Sequence, residues 1–290
     1  MVYFFHIITI AAFYAVLATS LDLLAGRLGL VSLSHATFFG MGAYVVGIAS
    51  KTGGYSPALA LVLAALLSSG LAAIIALASA RLKGDFFVIG TFSLQMVFLS
   101  VVTNWVQVTG GPTGIPAISC PNALSSVLHT GPWSAVFALG LLGLALLAYH
   151  RIDVSPVSRG LQAVRDSESF AQSLGLPTTL LKVKTACLSG AVAGSVGGLY
   201  AWYTGYISPS QFGVGESILL LTMVILGGLN SVTGPAVGAV LLVMVPECLR
   251  FLGLPGSTVG SVRQILYGAI LVGLVLWWPR GLMGRYEFKA

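Results

Sequence analysis

The chain has 290 residues, of which 57% are hydrophobic and only 8% carry a charged side chain. A soluble globular domain usually has about 25% charged residues, so this composition excludes a water-soluble fold of such a size. The mean hydropathy of +0.96 indicates a protein whose main solvent is lipid. The net charge of +6 does not indicate a nucleic-acid partner, because the basic residues are scattered between apolar runs and form no patch.

Runs of about 20 mostly apolar residues, the length an α-helix needs to cross a bilayer, recur along the chain. They predict an all-α polytopic membrane protein, a single transmembrane domain over 1–290 with about nine spans (in a range of about eight to ten). These runs are too long for the strands of an outer-membrane barrel. The predicted spans are 3–24, 30–50, 57–79, 86–105, 132–149, 185–204, 215–229, 235–252 and 263–278.

The Lys and Arg residues between the spans predict the orientation, because cytoplasmic loops are enriched in both residue types. We expect the N-terminus outside and the C-terminus inside, since only Lys51, Arg250 and Arg263 then face the outside. The basic residues on the cytoplasmic side are Arg27, Arg81, Lys83, Arg151, Arg159, Arg165, Lys182, Lys184, Arg280, Arg285 and Lys289. The three cysteines, Cys120, Cys187 and Cys248, have no spacing typical of a metal site or a disulfide framework.

The longer external connector, residues 105–131, is uncharged and rich in Gly, Pro, Thr and Ser, and we expect a periplasmic loop there. Three glycines and Pro112 within five residues rule out a regular helix. We therefore expect backbone amides that are free to bind a partner or a carboxylate. The residues concerned are Thr109, Gly110, Gly111 and Gly114.

Two stretches resemble each other: GLVSLSHA at 29–36 and GLNSVTGP at 228–235, each followed by a Gly-Ala pair. They indicate either a weak internal repeat or the shared chemistry of two helix breaks. In the predicted orientation both enter the membrane from the cytoplasmic side, so the repeat would be parallel. The segment 30–50 is either a full span or a broken or re-entrant helix, because serine, histidine and glycine interrupt it.

Irregular backbone is tolerated at membrane depth only where it lines a cavity or is buried in protein. Free helix N-termini suit the carboxylate of a zwitterion without adding fixed charge. The alternative is close helix packing by small residues, which we favour for the face formed by Gly190, Gly194 and Gly198. The residues predicted to line a substrate path are Ser32, Ser34, His35, Asn230 and Ser231.

The internal connector, residues 150–184, holds a large share of the charge and predicts a short amphipathic helix. Leu161 and Val164 share one face, and Asp166 or Ser167 is placed to cap a further turn. Gly175 stands where a left-handed residue ends a helix, before Leu176 and Pro177. An interfacial helix on lipid headgroups is the alternative, but acidic and basic residues alternate here and favour a soluble partner.

Six residues of this cytoplasmic segment are predicted to couple it to that partner. Phe170 and Leu174, with Ala171, form an apolar stripe of anchors. Charged residues at the rim set orientation and register, and Gly175 directs the helix end. The rim residues are Arg165, Asp166 and Glu168.

Several stretches are together similar to the branched-chain amino-acid ABC permeases of the LivM type. The resemblance covers nearly the whole chain in order, and the segment 159–177 is similar to the part of those permeases that faces the ATP-binding subunits. A short N-terminus is the main departure and bears on the span count. The matching stretches are 29–44, 84–114, 159–177, 225–239 and the closing WPRGL at 278–282.

The resemblance implies an assembly in a bacterial inner membrane. Its parts are a second, homologous permease subunit, two cytoplasmic ABC ATPases and a periplasmic substrate-binding protein, and its default substrates are branched-chain amino acids. ATP and Mg²⁺ would be bound by the partner subunits, so this chain would carry no cofactor and would not be an enzyme. Independently, the sequence contains no G-x-x-x-x-G-K-[ST] stretch to cradle ATP phosphates.

Three other functions are weighed against this one. An ABC permease for urea or short amides shares the resemblance. An ion-coupled secondary transporter usually needs an ionisable residue deep in the bilayer, and no candidate lies at the predicted midplane. An intramembrane hydrolase built on Ser32 or Ser34 with His35 is disfavoured, because adjacent helical residues point apart. The ionisable candidates are Asp22, His35, Glu216 and Glu247.

Overall fold

The structure, a computed structural model, describes residues 2–52, 56–78, 84–128, 131–251, 256–277 and 280–284. Within these ranges every regular element is helical, apart from one antiparallel bridge between Ile115 and Ile207. The predicted all-α fold is therefore confirmed. Several residues used for the orientation and for the closing motif lie outside the described residues, namely Arg81, Lys83, Trp278, Pro279, Arg285 and Lys289.

The long helices overlap the predicted spans one for one. Five segments of the described chain are long and apolar enough to cross a membrane: Tyr3–Arg27, Pro57–Ala78, Asp85–Asn104, Gly131–Val154 and Pro209–Gly227. The chain is thus a multi-pass membrane protein, while nine crossings stay a prediction. The α-helices in chain order are α1 (Val2–Asp22), α2 (His35–Thr52), α3 (Pro57–Ala78), α4 (Asp85–Asn104), α5 (Val106–Thr109), α6 (Asn122–Leu128), α7 (Gly131–Val154), α8 (Pro156–Asp166), α9 (Glu168–Ser173), α10 (Thr178–Thr204), α11 (Val214–Gly227), α12 (Gly234–Phe251) and α13 (Gly256–Trp277).

Glycine allows α10 to pack closely against α2 and α3 at the centre of the fold. A Cβ at Gly190 would lie 2.6 Å from Ala72 Cβ on α3, and one at Gly194 would lie 2.5 Å from Ser68 Cβ. On the α2 side, a Cβ at Gly197 would overlap the carbonyl oxygen of Phe39. The predicted small-residue face is therefore a packing face, as expected where lipid provides no hydrophobic driving force between helices.

The chain leaves helical geometry at both predicted breaks. Helix α1 continues through a π-helical turn at Leu23–Arg27, after which residues 28–34 lead back to α2. Gly29 has φ +73°, and at the equivalent point after α11 Gly228 has φ +103°. In each case the next helix begins six residues later, at His35 and at Gly234. The predicted start of the second span at residue 30 is therefore wrong, because 30–34 is not helical.

The external connector is more ordered than predicted. It contains α5, a 3₁₀ turn at Gly111–Thr113, the bridge to Ile207, and α6. The expectation of free amides is wrong, since the N–H groups of Gly110, Gly111 and Gly114 donate to Val106 O, Thr109 Oγ1 and Gly111 O. Thr109 is buried, and its hydroxyl donates to the carbonyl oxygens of Val102 and Trp105. This stretch closes the end of α4 instead of offering loose backbone.

The internal connector is helical along most of its length. Helix α7 continues to Val154, α8 and α9 follow, and α10 begins at Thr178. Residues 178–184, which were predicted to belong to the connector, form the first two turns of α10, because Pro177 ends the preceding turn and begins this helix. The predicted single amphipathic helix is two helices that meet at Ser167.

We expect Gly197→Ala to destabilise the protein by roughly 1–3 kcal/mol, because the new methyl group has a backbone carbonyl in its way and α10 must move off α2. Gly140→Ala on α7 is the matched control, since nothing lies within 4 Å of a Cβ there. Thermal unfolding of the detergent-solubilised protein measures the effect. Equal melting temperatures for the two variants would contradict this packing.

Candidate functional site

The first helix break is a buried polar cluster at the start of α2. The hydroxyls of Ser32 and Ser34 are 2.9 Å apart, and Ser32 Oγ also accepts from the backbone N–H of Ser34 at 3.3 Å. His35 Nε2 shares a 2.9 Å hydrogen bond with Ser20 Oγ on α1. The side chains of all four are buried. Three of the residues predicted to line a substrate path are thus brought together, against the last two turns of α1.

Gln95 on α4 ties this break to α11. Its Oε1 accepts from Thr37 Oγ1 at 2.6 Å, and its Nε2 donates to the carbonyl oxygen of Phe212 at 2.5 Å. Ser217 on α11 donates to the same Oε1 at 3.4 Å and accepts from the N–H of Ala36 at 3.2 Å. The polar side chains of α4 and α11 therefore supply hydrogen bonds to the buried start of α2.

The bonds of Gln95 and Ser217 to this break were not predicted from the sequence. For α4, however, the sequence does contain a pattern that indicates such bonds. Phe87, Thr91, Gln95, Phe98 and Val102 recur every three or four residues and form the buried face of α4. A polar residue at such a spacing in an apolar helix indicates a bond to a neighbouring helix. Thr91 confirms the pattern, since its hydroxyl accepts from the N–H of Leu33 at 3.1 Å.

The second break lies against the end of α1. The backbone N–H of Asn230 donates to Asp22 Oδ1 at 3.1 Å, and Asn230 has φ +60°. Ser231 Oγ accepts from the N–H of Gly234 and so caps the start of α12 at 3.2 Å. Asp22, weighed above only as an ion-coupling residue, is buried and also accepts a hydrogen bond from the Tyr149 hydroxyl.

Two polar atoms at the breaks have no protein partner among the described residues. They are His35 Nδ1 at the first break and Asn230 Oδ1 at the second, and both are buried. A buried polar atom without a partner is costly unless a water molecule or a ligand binds it. Both atoms belong to residues predicted to line the path. Helix α1 contacts both residues, since Ser20 bonds to His35 Nε2 and Asp22 accepts from the Asn230 N–H.

The segment 159–177 has the predicted end signals. Ser167 Oγ accepts from the N–H of Phe170 at the start of α9. At its end the N–H of Gly175 donates to Gln172 O at 2.9 Å and that of Leu176 to Ala171 O at 3.1 Å. These two bonds form a Schellman motif, and Gly175 has the left-handed backbone it requires, with φ +78°.

The side chains of the segment divide into an inner and an outer set. Phe170 and Leu174 are 61% and 63% exposed, so α9 and its C-cap residue present two large apolar side chains that the described residues leave uncovered. The predicted stripe is wrong for Ala171, which is buried, because adjacent helical positions point about 100° apart. Leu161 and Val164 are buried under α8, as the pattern predicts.

The three predicted rim charges behave differently from one another. Asp166 is exposed, whereas Glu168 is bonded at 2.7 Å to the buried Lys182 of α10. Arg165 turns inward, and its Nη1 donates at 2.6 Å to the carbonyl oxygen of Gly26 in the π turn. Of the three, only Asp166 has its charge at the surface, where its Oδ1 accepts from Arg165 Nε at 3.4 Å. The other two fix α8 and α9 to the membrane helices.

Comparison with known proteins decides which family has this arrangement. The family model for the branched-chain amino acid transport system permease component matches residues 3–275. The chain belongs to this family. The resemblance seen in the sequence is thereby confirmed. A comparison with solved structures gives no significant match.

Three relatives of this permease family show how far the similarity extends. The branched-chain amino acid permease proteins LivM of Salmonella typhimurium and Escherichia coli are 29% and 27% identical to this chain. Each alignment, gaps included, is 300 residues long and covers 96% of this chain and 69% of the relative. The permease protein LivH of Escherichia coli is 25% identical over 317 residues, covering 98% of this chain and 96% of the relative. The breaks, the polar cluster and α8–α9 all lie within the matched residues.

Proposed function

We propose that this chain is one of two membrane-spanning permease subunits of an ABC importer for branched-chain amino acids in a bacterial inner membrane. The observation that carries the proposal is the capped helix α9, which displays Phe170 and Leu174 between two long helices of a permease-family chain. An importer needs one place where ATP-driven movement of soluble subunits enters the membrane domain, and α8–α9 has the properties of that place.

The partners follow from this role. Two cytoplasmic ATPases bind ATP and Mg²⁺, and a periplasmic binding protein delivers the substrate. The second permease subunit is a homologue of this chain. LivM and LivH of Escherichia coli support this, because both are named as permease proteins of a high-affinity branched-chain amino acid transport system and both align with this chain. This chain is then a transport subunit that hydrolyses no ATP itself and has no cofactor of its own.

The proposed orientation has the N-terminus outside, the C-terminus inside and nine crossings. It places eleven of the fourteen Lys and Arg residues on the cytoplasmic side, in agreement with the positive-inside rule. It also places α8 and α9 in the cytosol, where ATPases are, and the connector 105–131 in the periplasm.

Docking of an ATPase subunit on α9 is supported by exposure and by rigidity. Large side chains buried at the centre of an interface carry most of its energy, and Phe170 and Leu174 are the large apolar side chains that α9 exposes. The Schellman motif and the Glu168–Lys182 pair hold α9 in place before binding, which lowers the entropic cost of docking. Asp166 remains available to set orientation at the rim.

We expect Phe170→Ala and Gly175→Val to leave the chain in the membrane with its partner permease but to remove the ATPase subunits on purification. Phe170→Ala deletes an anchor, and Gly175→Val places a β-branched residue where φ is +78°, which misdirects the helix end. ATP-dependent uptake should fall with the loss of the ATPase.

Ser169→Ala is the matched control, since this exposed side chain lies beside Phe170 on the same helix and has no anchoring role. Affinity purification followed by measurement of subunit ratios reads the outcome. If both anchor variants keep the control's ATPase ratio and full transport, α9 is an ordinary surface helix and the docking proposal fails.

The substrate path is proposed to run along the two helix breaks. An amino-acid zwitterion needs donors for its carboxylate and acceptors for its ammonium group. The Ser32 and Ser34 hydroxyls at the start of α2, which bond to each other at 2.9 Å, supply one further donor for the carboxylate. Asn230 Oδ1 supplies a buried acceptor without a protein partner among the described residues, and Ser231 stands beside it. A polar pocket of about 260 Å³ lies at the start of α11 and is lined in part by Glu216 and Gln264.

We expect Ser34→Ala and Asn230→Gly each to lower uptake about tenfold or more with the complex assembled, because each removes a polar group from the path. Glycine at 230 keeps the left-handed backbone and its bond to Asp22, so only the carboxamide is lost. Ser93→Ala, an exposed serine on α4, is the control. Control-level uptake in both path variants would refute the path.

The competing functions have less support. Two of the four ion-coupling candidates are engaged in the fold: Asp22 accepts from Tyr149 and Asn230, and Glu247 accepts from Tyr3. A permease for urea or short amides would not require acceptors for an ammonium group, and the relatives compared above are named for branched-chain amino acids.

A further inference from the structure

A buried charged cluster lies where α1, α7, α8 and the second helix break meet. Arg27 forms an ion pair with Asp153 at the end of α7, and its Nη1 donates at 2.6 Å to Ser158 Oγ in the first turn of α8. Its Nε donates at 3.1 Å to the Tyr149 hydroxyl. From the sequence, Arg27 was counted only as a basic residue on the cytoplasmic side. In the structure its side chain is buried, with 1% exposed.

The cluster continues from Arg27 to the second break. The Tyr149 hydroxyl donates to Asp22 Oδ2, and Asp22 Oδ1 accepts from the backbone N–H of Asn230. An unbroken series of hydrogen bonds therefore joins Ser158 on α8 to Asn230, by way of Arg27, Tyr149 and Asp22. The two ends of this series belong to the ATPase-facing segment and to the proposed substrate path.

A second contact binds α8 to the same turn. Arg165, in the last turn of α8, donates to the carbonyl oxygen of Gly26, and a Cβ at Gly26 would lie 2.6 Å from the Asn230 backbone nitrogen. The π turn Leu23–Arg27 is thus held by α8 on one side and packs directly against the break on the other.

The turn between these contacts has unusual backbone geometry. A π-helical turn is uncommon, is found often at functional sites, and shifts the register of a helix by one residue when it forms or disappears. Asn230, a non-glycine residue with φ +60°, is held in a sparsely populated conformation by its bond to Asp22. Backbone geometry of this kind clusters at active sites, ligand clamps and switch regions.

We propose that Asp22, Arg27 and Tyr149 are positioning residues that transmit a displacement of α8 to the second helix break during transport. This inference rests on the proposed function, in which ATPase closure moves α8–α9. The alternative is a purely structural cluster that stabilises the bundle, in which case its loss would lower the amount and the melting temperature of the complex without separating ATP hydrolysis from uptake.

The test is Tyr149→Phe in the complete importer, reconstituted with its ATPase and binding-protein partners. This change removes the hydroxyl that connects Arg27 to Asp22 and keeps the ring, whose centroid lies 5.0 Å from Arg27 Cζ. The ATPase subunits should co-purify at the wild-type ratio and ATP hydrolysis should stay near wild type. Uptake should fall, so that the ATP consumed per substrate rises about tenfold.

Tyr203→Phe is the matched control. It removes a hydroxyl that bonds α10 to His6 Nδ1 on α1 at 2.7 Å, near the N-terminal end of α1 and away from the cluster. Its ATP-to-substrate ratio should equal that of the wild type. Asp153→Asn is the second test variant and keeps an acceptor for Arg27 while removing the charge. It should raise the ratio in the same direction, and it decides the matter if Tyr149→Phe does not assemble.

The outcomes separate the two levels of the proposal. A wild-type complex without ATP-dependent uptake overturns the proposed function. If the wild type transports, an unchanged ATP-to-substrate ratio in Tyr149→Phe and Asp153→Asn overturns the positioning role alone. A parallel fall of hydrolysis and uptake together with a lower melting temperature assigns the cluster to stability and also overturns it.

Discussion

Two interruptions of helical geometry leave backbone amides and carbonyls without their usual partners, in a molecule whose surroundings offer no water. Each free group has to be bonded by the protein itself. At the first break Thr91 and Ser217 accept from the N–H groups of Leu33 and Ala36. At the second, Asp22 and Ser231 accept from those of Asn230 and Gly234. The polar side chains on α1, α4 and α11 are therefore explained first by this requirement.

The backbone N–H of Asn230 at the second break is bonded by the carboxylate of Asp22, which is buried. This buried carboxylate in turn requires particular neighbours. A buried carboxylate needs bonded donors and a counter-charge nearby. Tyr149 and the Asn230 amide donate to Asp22, and Arg27 stands on the other side of the Tyr149 hydroxyl. Arg27 in turn engages Asp153 and Ser158, so the junction of α7 and α8 is fixed by the same cluster. Helix α8 and the second helix break are consequently joined in one hydrogen-bonded cluster.

Local patterns in the sequence were sufficient for features whose causes are local. The left-handed Gly175, the Ser167 cap and the approximate position of every long helix follow from turn chemistry and apolar runs. Contacts between distant residues had no such signal. Gln95 bonds to Phe212, and Arg165 to Gly26, across more than one hundred residues. A charge between spans looks the same in the sequence whether it faces water, as Asp166 does, or turns inward, as Arg27 does.

ATP-driven import by the reconstituted complex tests the central claim most directly. Proteoliposomes containing this chain, its partner permease and the ATPase would enclose ATP and Mg²⁺ and receive binding protein with radiolabelled leucine outside. Accumulation that requires enclosed ATP, that stops with a non-hydrolysable analogue and that persists when ion gradients are dissipated is the predicted result. Accumulation driven by a proton or sodium gradient in liposomes that contain this chain alone, without ATP, would contradict the claim.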